Sequence, residues 1–446
     1  MTHSDTIFAP ATAPGRAGVA IVRISGPQAD AALSALTAGA PLPAPRRAGR
    51  VKVCDGDGEP VDDGLALRFP GPASFTGEDV VELHLHGSRA VLDAVMGLLA
   101  AQEGLRVAEP GEFTRRAFEN GKMDLTQAEA LADLIDAETA AQRRQALRQM
   151  DGALARLIED WRHRLVKALG HFEAFIDFPD EDLPPEAEGA IWGAVGSLVD
   201  EMCAHLNDGR RGERLRDGFH IAIIGPPNAG KSSLLNALAR REAAIVSDIA
   251  GTTRDVVDVH LDLGGYAVVL ADTAGLRDAA EAIESEGIRR ARARAEQADL
   301  RLAVFDGATW PRLDAHTLSL VDDATLVVVN KADLATVPDD PVVAGRAGLA
   351  LSVRSGQGME RLLARLGEEV GVRLAGGSGA PALTRERHRR ALTECVDALR
   401  RARAAALPEL GGEDLRLAAR ALGRITGRVE VDELLDVIFR DFCIGK

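Results

Sequence analysis

Eight residues, Gly225-Pro-Pro-Asn-Ala-Gly230-Lys231-Ser232, have the spacing G-x-x-x-x-G-K-[ST]. That pattern makes a phosphate-binding loop when a strand precedes it and a helix follows. The apolar run Ile221–Ile224 and the helical run Ser233–Leu238 supply that context. The glycines let backbone N–H groups close around phosphate oxygens, and a helix N-terminus favours negative charge there. Lys231 can reach the outer phosphates, and the Ser232 hydroxyl can ligate Mg²⁺.

Three further stretches follow in the order a nucleotide site requires. Asp272-Thr-Ala-Gly275 ends a strand; its aspartate can hold Mg²⁺ through water and its glycine N–H can reach a γ-phosphate. In Asn330-Lys-Ala-Asp333, an asparagine acceptor and a carboxylate that takes two N–H protons select guanine over adenine. Ser352-Val353-Arg354 offers a backbone N–H to the guanine carbonyl, and Thr252-Thr253 offers a switch hydroxyl to Mg²⁺. The chemistry is GTP binding. The expected contacting set is Asn228, Ala229, Gly230, Lys231, Ser232 and Ser233, then Ser247, Asp248, Ile249, Ala250, Gly251, Thr252 and Thr253. Asp272, Thr273, Ala274, Gly275, Asn330, Lys331, Asp333, Ser352, Val353 and Arg354 complete it.

Hydrolysis needs a group that orients water. Ras-like proteins place glutamine after Asp-x-x-Gly; this chain has Leu276, which neither donates nor accepts a hydrogen bond. Glu281, Glu284 and Glu286 lie just beyond, and the residues alone do not choose among them. No arginine stands in the phosphate loop as a finger, but Asn228 offers an oxygen that can ligate a monovalent cation in that electrostatic role.

These motifs need a sheet to carry them. Val257, Val259, Leu261 and Leu263 alternate with polar residues, Gly264-Gly265 makes a hairpin turn, and Tyr266–Ala271 returns antiparallel. With strands at Leu300–Phe305, Leu326–Val329 and Leu349–Leu351 this predicts a doubly wound, mostly parallel sheet with one antiparallel edge. Before it, residues 1–120 read as mixed α/β, with strands at Val19–Ile24 and Val80–Leu85, a helix over Arg89–Leu99 and a loop over Pro41–Gly49. From Leu125 the pattern turns to long helices. Asp124-x-x-Gln127 is a capping box. Leu147, Met150, Leu154, Leu157, Trp161, Leu165, Leu169, Phe172 and Ile176 form one apolar stripe, and a second helix runs from about 186 to 206. Gly376–Gly379 is a linker, and helices return with Leu392, Cys395 and Leu399 facing inward, then one with Leu415, Leu422 and Ile425, then one with Leu434, Leu435, Ile438 and Phe439. The segmentation is 1–120, 121–217, 218–375 and 381–446, a helical domain with a nucleotide domain inserted into it.

The 446 residues carry a net charge of −15, which argues against indiscriminate nucleic-acid binding. Only 381–446 holds more basic than acidic residues. No run is long enough to span a membrane, no signal peptide opens the chain, and Cys54, Cys203, Cys395 and Cys443 are too far apart for a metal site, so a reducing cytoplasm is expected. The chain has only six lysines, at 52, 122, 167, 231, 331 and 446; a retained lysine marks a place that needs a compact ammonium.

The chain resembles the MnmE (TrmE) family of tRNA-modification GTPases almost end to end. The resemblance is carried by Pro14-Gly-Arg-Ala-Gly18, Arg23-Ile-Ser-Gly26, Ser74-Phe-Thr-Gly-Glu-Asp79, Pro110-Gly-Glu-Phe-Thr114, Asn120-Gly-Lys-Met-Asp-Leu125 and Ile176-Asp-Phe-Pro-Asp180. Gly225–Ser233, Asp248–Asp255 and the closing Phe442-Cys-Ile-Gly-Lys446 extend it. It implies an N-terminal folate-binding, dimerising domain, a discontinuous helical domain and an inserted Ras-like G domain. It implies a homodimer that works with an FAD-dependent, MnmG (GidA)-like partner in a heterotetramer. Together they install an aminomethyl or carboxymethylaminomethyl group on carbon 5 of the tRNA wobble uridine. A formyl- or methylene-tetrahydrofolate donates the methylene, and GTP hydrolysis is activated by K⁺. Carried over residue by residue, the K⁺ ligands fall on Asn228, Ser247, Ile249 and Thr252, and the Mg²⁺ ligands on Ser232 and Thr253. The catalytic glutamate falls on Glu284, and the folate contacts on Arg23, Glu82, Lys122 and Lys446. Two departures are small: Ser247 stands where relatives often have threonine, and Val353 is larger than the usual alanine. A rival reading is a GTP-switched RNA-binding or ribosome-assembly factor.

Overall fold

The computed structural model describes residues 5–177, 185–241, 243–245, 258–272, 298–375 and 381–429, and beyond these 435, 436, 438, 439, 442 and 445. Two compact units emerge. One comprises Met1–Ala132, Gln149–Glu181 and Ala404–Lys446; the other comprises Asp133–Arg148 and Asp182–Arg403. Their boundaries divide the helices differently from the four segments read above.

The first unit is built on a six-stranded sheet. Its strands are β1 (Thr6–Pro10), β2 (Ala17–Ser25), β3 (Gly49–Cys54), β4 (Pro60–Phe69), β5 (Val80–Gly87) and β6 (Leu105–Val107), in the order β3-β4-β5-β2-β1-β6. Only β6 runs parallel to its neighbour, β1. Period-2 alternation sends Val22, Ile24, Val81, Leu83 and Leu85 to one face, where they meet Ala32, Leu33, Val95 and Leu99 of the helices Ala29–Leu36 and Arg89–Ala100. Arg23, Glu82 and His84 stand on the opposite face. Helix Leu125–Ile135 begins as the capping box predicts: Asp124 N donates to Gln127 Oε1 at 3.0 Å and Gln127 N to Asp124 Oδ1 at 3.1 Å. Leu125 and Ala128 pack with Leu435, Phe439 and Phe442, which brings the C-terminal stretch onto this unit.

The single apolar stripe from Leu147 to Ile176 is corrected. Helix Ala140–Met150 stops and helix Ala153–Asp177 starts afresh, because Gly152 takes φ 79°, which a continuing helix does not allow. Leu147 and Met150 are accordingly exposed, while Leu154, Trp161, Leu165 and Phe172 are buried.

The second unit carries a seven-stranded sheet. Its strands are β7 (Phe219–Ile224), β8 (Asp258–Leu263), β9 (Tyr266–Asp272), β10 (Leu300–Asp306), β11 (Thr325–Asn330), β12 (Val342–Val343) and β13 (Arg346–Ala350), in the order β12-β13-β11-β10-β7-β9-β8. β7, β9, β10, β11 and β13 are parallel, and β8 forms the expected antiparallel hairpin with β9. The second edge is antiparallel too: β12 folds back on β13, a pairing too short to read from the sequence. β11 is buried along its whole length, as a central parallel strand must be when both faces are covered. Leu392, Cys395 and Leu399 of helix Glu386–Ala404 point inward, as do Leu415, Leu422 and Ile425 of helix Pro408–Thr426 in the first unit. Burial pushes the Cys395 thiol up to about 12, so it is no thiolate at neutral pH. No helix among the described residues is long and apolar enough to cross a membrane.

Candidate functional site

The phosphate loop lies between β7 and helix Lys231–Ala239. Ile221 to Ile224 are buried, so the chain leaves the sheet at Gly225 with no freedom to veer. A Cβ at Gly225 would overlap the carbonyl of Val304 on β10, which is why this position takes glycine. Asn228 sits exposed at φ 63°, and Gly230 at φ 92° starts the helix. The Lys231 ammonium donates to the carbonyls of Gly225 and Pro226, each at 2.9 Å, and is only 8% exposed. Ser232 and Ser233 follow exposed on the first turn, whose N–H groups point out of the helix start.

The base-reading loop is tied to the phosphate loop by one amide. Asn330, 2% exposed at the end of β11, donates from Nδ2 to the Ala229 carbonyl at 2.8 Å. Its Oδ1 accepts from Lys331 N at 2.8 Å and Val353 N at 3.2 Å. The Val353 N–H is therefore committed to Asn330. Ser352 is fully buried and its hydroxyl accepts from Ser355 N at 3.2 Å; Arg354 and Asp333 are exposed. Ala332 N donates to Leu351 O at 3.0 Å, which zips the two guanine-reading stretches side by side.

Asp306 is a residue that sequence reasoning missed. It ends β10 opposite Asn330, and its Oδ2 accepts from Lys331 Nζ at 2.6 Å. The sequence shows only an aspartate closing an apolar strand, and its place beside the lysine comes from the parallel register of β10 and β11.

Asp272 ends β9 opposite Ile223 of β7, beside the phosphate loop. Ser247, Asp248, Ile249, Ala250, Gly251, Thr252, Thr253, Thr273, Ala274, Gly275 and Leu276 lie outside the described residues. So do Glu281, Glu284, Glu286, Cys443 and Lys446.

In the first unit, antiparallel register sets Arg23 of β2 opposite Glu82 of β5. Arg23 Nη2 and Nε donate to Glu82 Oε1 at 3.0 and 3.2 Å. The guanidinium lies over the rings of Phe75 and Phe113, at 5.3 and 5.7 Å from their centroids, a cation–π pairing on both. Lys122 Nζ donates to the Pro72 carbonyl at 2.9 Å, so Lys122 and Arg23 both engage the segment 72–75. Gly445 packs so closely on Pro10 that a Cβ would overlap its carbonyl, which brings the end of the chain beside β1.

A buried charge network underlies this face. Arg116 is 0% exposed and meets three carboxylates: Asp5 and Glu112 at 3.0 Å and Glu78 at 3.2 Å. Glu78 also accepts from Ser25 Oγ at 2.7 Å, and Arg106 adds bonds to Glu112 and Asp5. Burial opposes ionisation of Glu112, but Arg106, the Glu109 N–H and Arg116 outweigh it and hold its carboxyl below the usual range. Asp5 is lowered against the same opposition by Arg106 and Arg116. Glu78 and Glu112 lie three and one residues along the chain from Phe75 and Phe113.

Comparison with known proteins gives the following. The family model "GTP-binding protein TrmE N-terminus" matches residues 6–122, and the model "MnmE helical domain" matches residues 125–443. The tRNA modification GTPase MnmE of Paramagnetospirillum magneticum is 63% identical over 99% of this chain and 100% of its own length. That of Rhodospirillum rubrum is 60% identical over 99% of both. Among solved structures, the G domain of the T. maritima FeoB iron transporter aligns with 35% of this chain and 98% of its own at 23% identity, with a TM-score of 0.25.

Proposed function

The chain belongs to the MnmE (TrmE) family of tRNA modification GTPases, and from that premise we propose that it is a K⁺-activated GTPase that modifies the tRNA wobble uridine with a one-carbon folate and an FAD-dependent partner. The observation that carries the GTP reading is Asn330, whose single side chain joins the phosphate loop to the guanine-reading loop. Lys231 neutralises the outer phosphates, and Asp333 takes the guanine N–H protons. The donor set suits the expected ions: the exposed Ser232 with Thr253 holds Mg²⁺, and the exposed Asn228 oxygen with Ser247, Ile249 and Thr252 holds K⁺. These ions supply positive charge against the phosphates. Glu284 orients the attacking water, since Leu276 has no group to do so.

In the first unit, Arg23, Glu82, Lys122 and Lys446 hold a formyl- or methylene-tetrahydrofolate, with the cations on its glutamate tail. Arg23 already pairs with Glu82 there and lies over two aromatic rings. The protein acts in the cytoplasm as a homodimer joined through residues 1–120, in a heterotetramer with an MnmG-like flavoprotein. Residues 121–217 and 381–446 form its helical domain and 218–375 its G domain. Mass spectrometry of wobble nucleosides from a deletion strain tests the reaction. Loss of the 5-substituted uridine, restored by wild type and not by Glu284→Ala, is expected; an unchanged wobble base in the deletion strain overturns it.

A further inference from the structure

We propose that Asp306 is a positioning residue for nucleotide recognition: it pins the Lys331 ammonium, and so sets the affinity for GTP and GDP alike without contributing to hydrolysis. Asp306 ends β10 in parallel register with Asn330, the last residue of β11. Its two carboxylate oxygens have separate tasks. Oδ1 accepts the N–H of Ala308 at 2.9 Å, which caps the short 3-10 turn Gly307–Thr309, and Oδ2 accepts Lys331 Nζ at 2.6 Å. The Asp306 carbonyl takes the Thr309 hydroxyl at 3.0 Å. The carboxylate is therefore fixed before it meets the lysine.

Lys331 is fixed at its other end as well. Its backbone takes φ 62°, its N–H is bound to Asn330 Oδ1 at 2.8 Å, and its carbonyl accepts Leu334 N at 3.0 Å. A four-carbon stem held at both ends has already lost the rotamer freedom that a free lysine gives up on binding. The stem presents methylenes to a planar base, while the ammonium stays neutralised by Asp306. Asn330 holds the same loop to Ala229, so Asp306, Lys331, Asn330 and the phosphate loop form one preorganised array. Lysine suits this place in an arginine-rich chain because one compact ammonium meets one carboxylate oxygen. GTP and GDP share the base, so the Asp306–Lys331 pair acts on both equally and not on cleavage of the γ-phosphate.

The test uses the full chain with Asp306→Asn, which keeps an oxygen for the Ala308 cap and removes the charge. Calorimetry gives Kd for GTP and GDP, and single-turnover hydrolysis at saturating GTP gives the chemical rate. Both Kd values are expected to rise by about five- to tenfold and by the same factor, with the single-turnover rate unchanged. Lys331→Met is expected to weaken binding by at least as much, and Asp306→Asn added to Lys331→Met to cost nothing further. An unchanged Kd in Asp306→Asn, a fall in the single-turnover rate, or full additivity in the double variant overturns the proposal; additivity means that Asp306 acts other than through Lys331.

Discussion

At the end of β7 the binding groups are mostly backbone. Gly225 leaves the sheet against the Val304 carbonyl, the helix starts at Lys231, and Asn330 reads the loop through the Ala229 carbonyl. On the face of β2 and β5 the groups proposed to hold a folate are side chains. Arg23 and Glu82 meet by register, with the Arg23 guanidinium over Phe75 from a loop and Phe113 from a helix, and the same unit holds the ion pairs of Arg116. A backbone site requires particular residues at fixed spacing, because only some residues accept the dihedral angles or the close approach. A side-chain site requires only that charges of the right sign converge, and segments far apart in the chain can supply them.

The two sites therefore fail in different ways. The largest effect is expected at Arg116. Replacing it by leucine takes the guanidinium from the nearly buried Glu78 and leaves Glu112 and Asp5 to Arg106, at a cost of about 3–5 kcal/mol to the first unit. Denaturant unfolding followed by the tryptophans of each unit reads this; equal loss in both units breaks the comparison. Next is Lys231→Ala, which removes a nearly buried ammonium from the phosphate loop. GTP affinity is expected to fall by about 2–4 kcal/mol, or roughly 30- to 1000-fold, with unfolding little changed. Wild-type affinity in a folded Lys231→Ala protein removes the lysine from phosphate binding. The smallest concerns Asn228. Hydrolysis is expected to rise on replacing Na⁺ by K⁺ at constant ionic strength, and Asn228→Ala to flatten that response by about tenfold, near 1.4 kcal/mol. Equal turnover of the wild type in the two salts contradicts a cation at the phosphates.

The backbone site was legible in the sequence for the reason just given. Gly225 to Ser232 and Asn330 to Asp333 stand at strand ends where alternation and apolar runs put them, and the hairpin at Gly264-Gly265 fell where its glycines demand. Asp306 was not legible, because a strand-ending aspartate has no fixed spacing to Lys331, and only the parallel register of β10 and β11 joins them. The pairing of Arg23 with Glu82 depends on the register of β2 and β5, which the apolar pattern alone does not fix to the residue. Phe75, Phe113 and Arg116 went unread because an aromatic or a cation carries no periodicity that separates a site from a core. The family resemblance named Arg23 and Glu82, but not what holds them.

One chain is proposed to join two chemically separate sites, a GTP site in the second unit and a folate site in the first. Calorimetry of GTP and of a formyl-tetrahydrofolate on wild type, Lys231→Ala and Arg23→Ala tests it directly. A double dissociation is expected: Lys231→Ala loses GTP and keeps the folate, while Arg23→Ala loses the folate by about tenfold or more and keeps GTP. Undiminished folate affinity in Arg23→Ala, or no folate binding to the wild type at all, contradicts it.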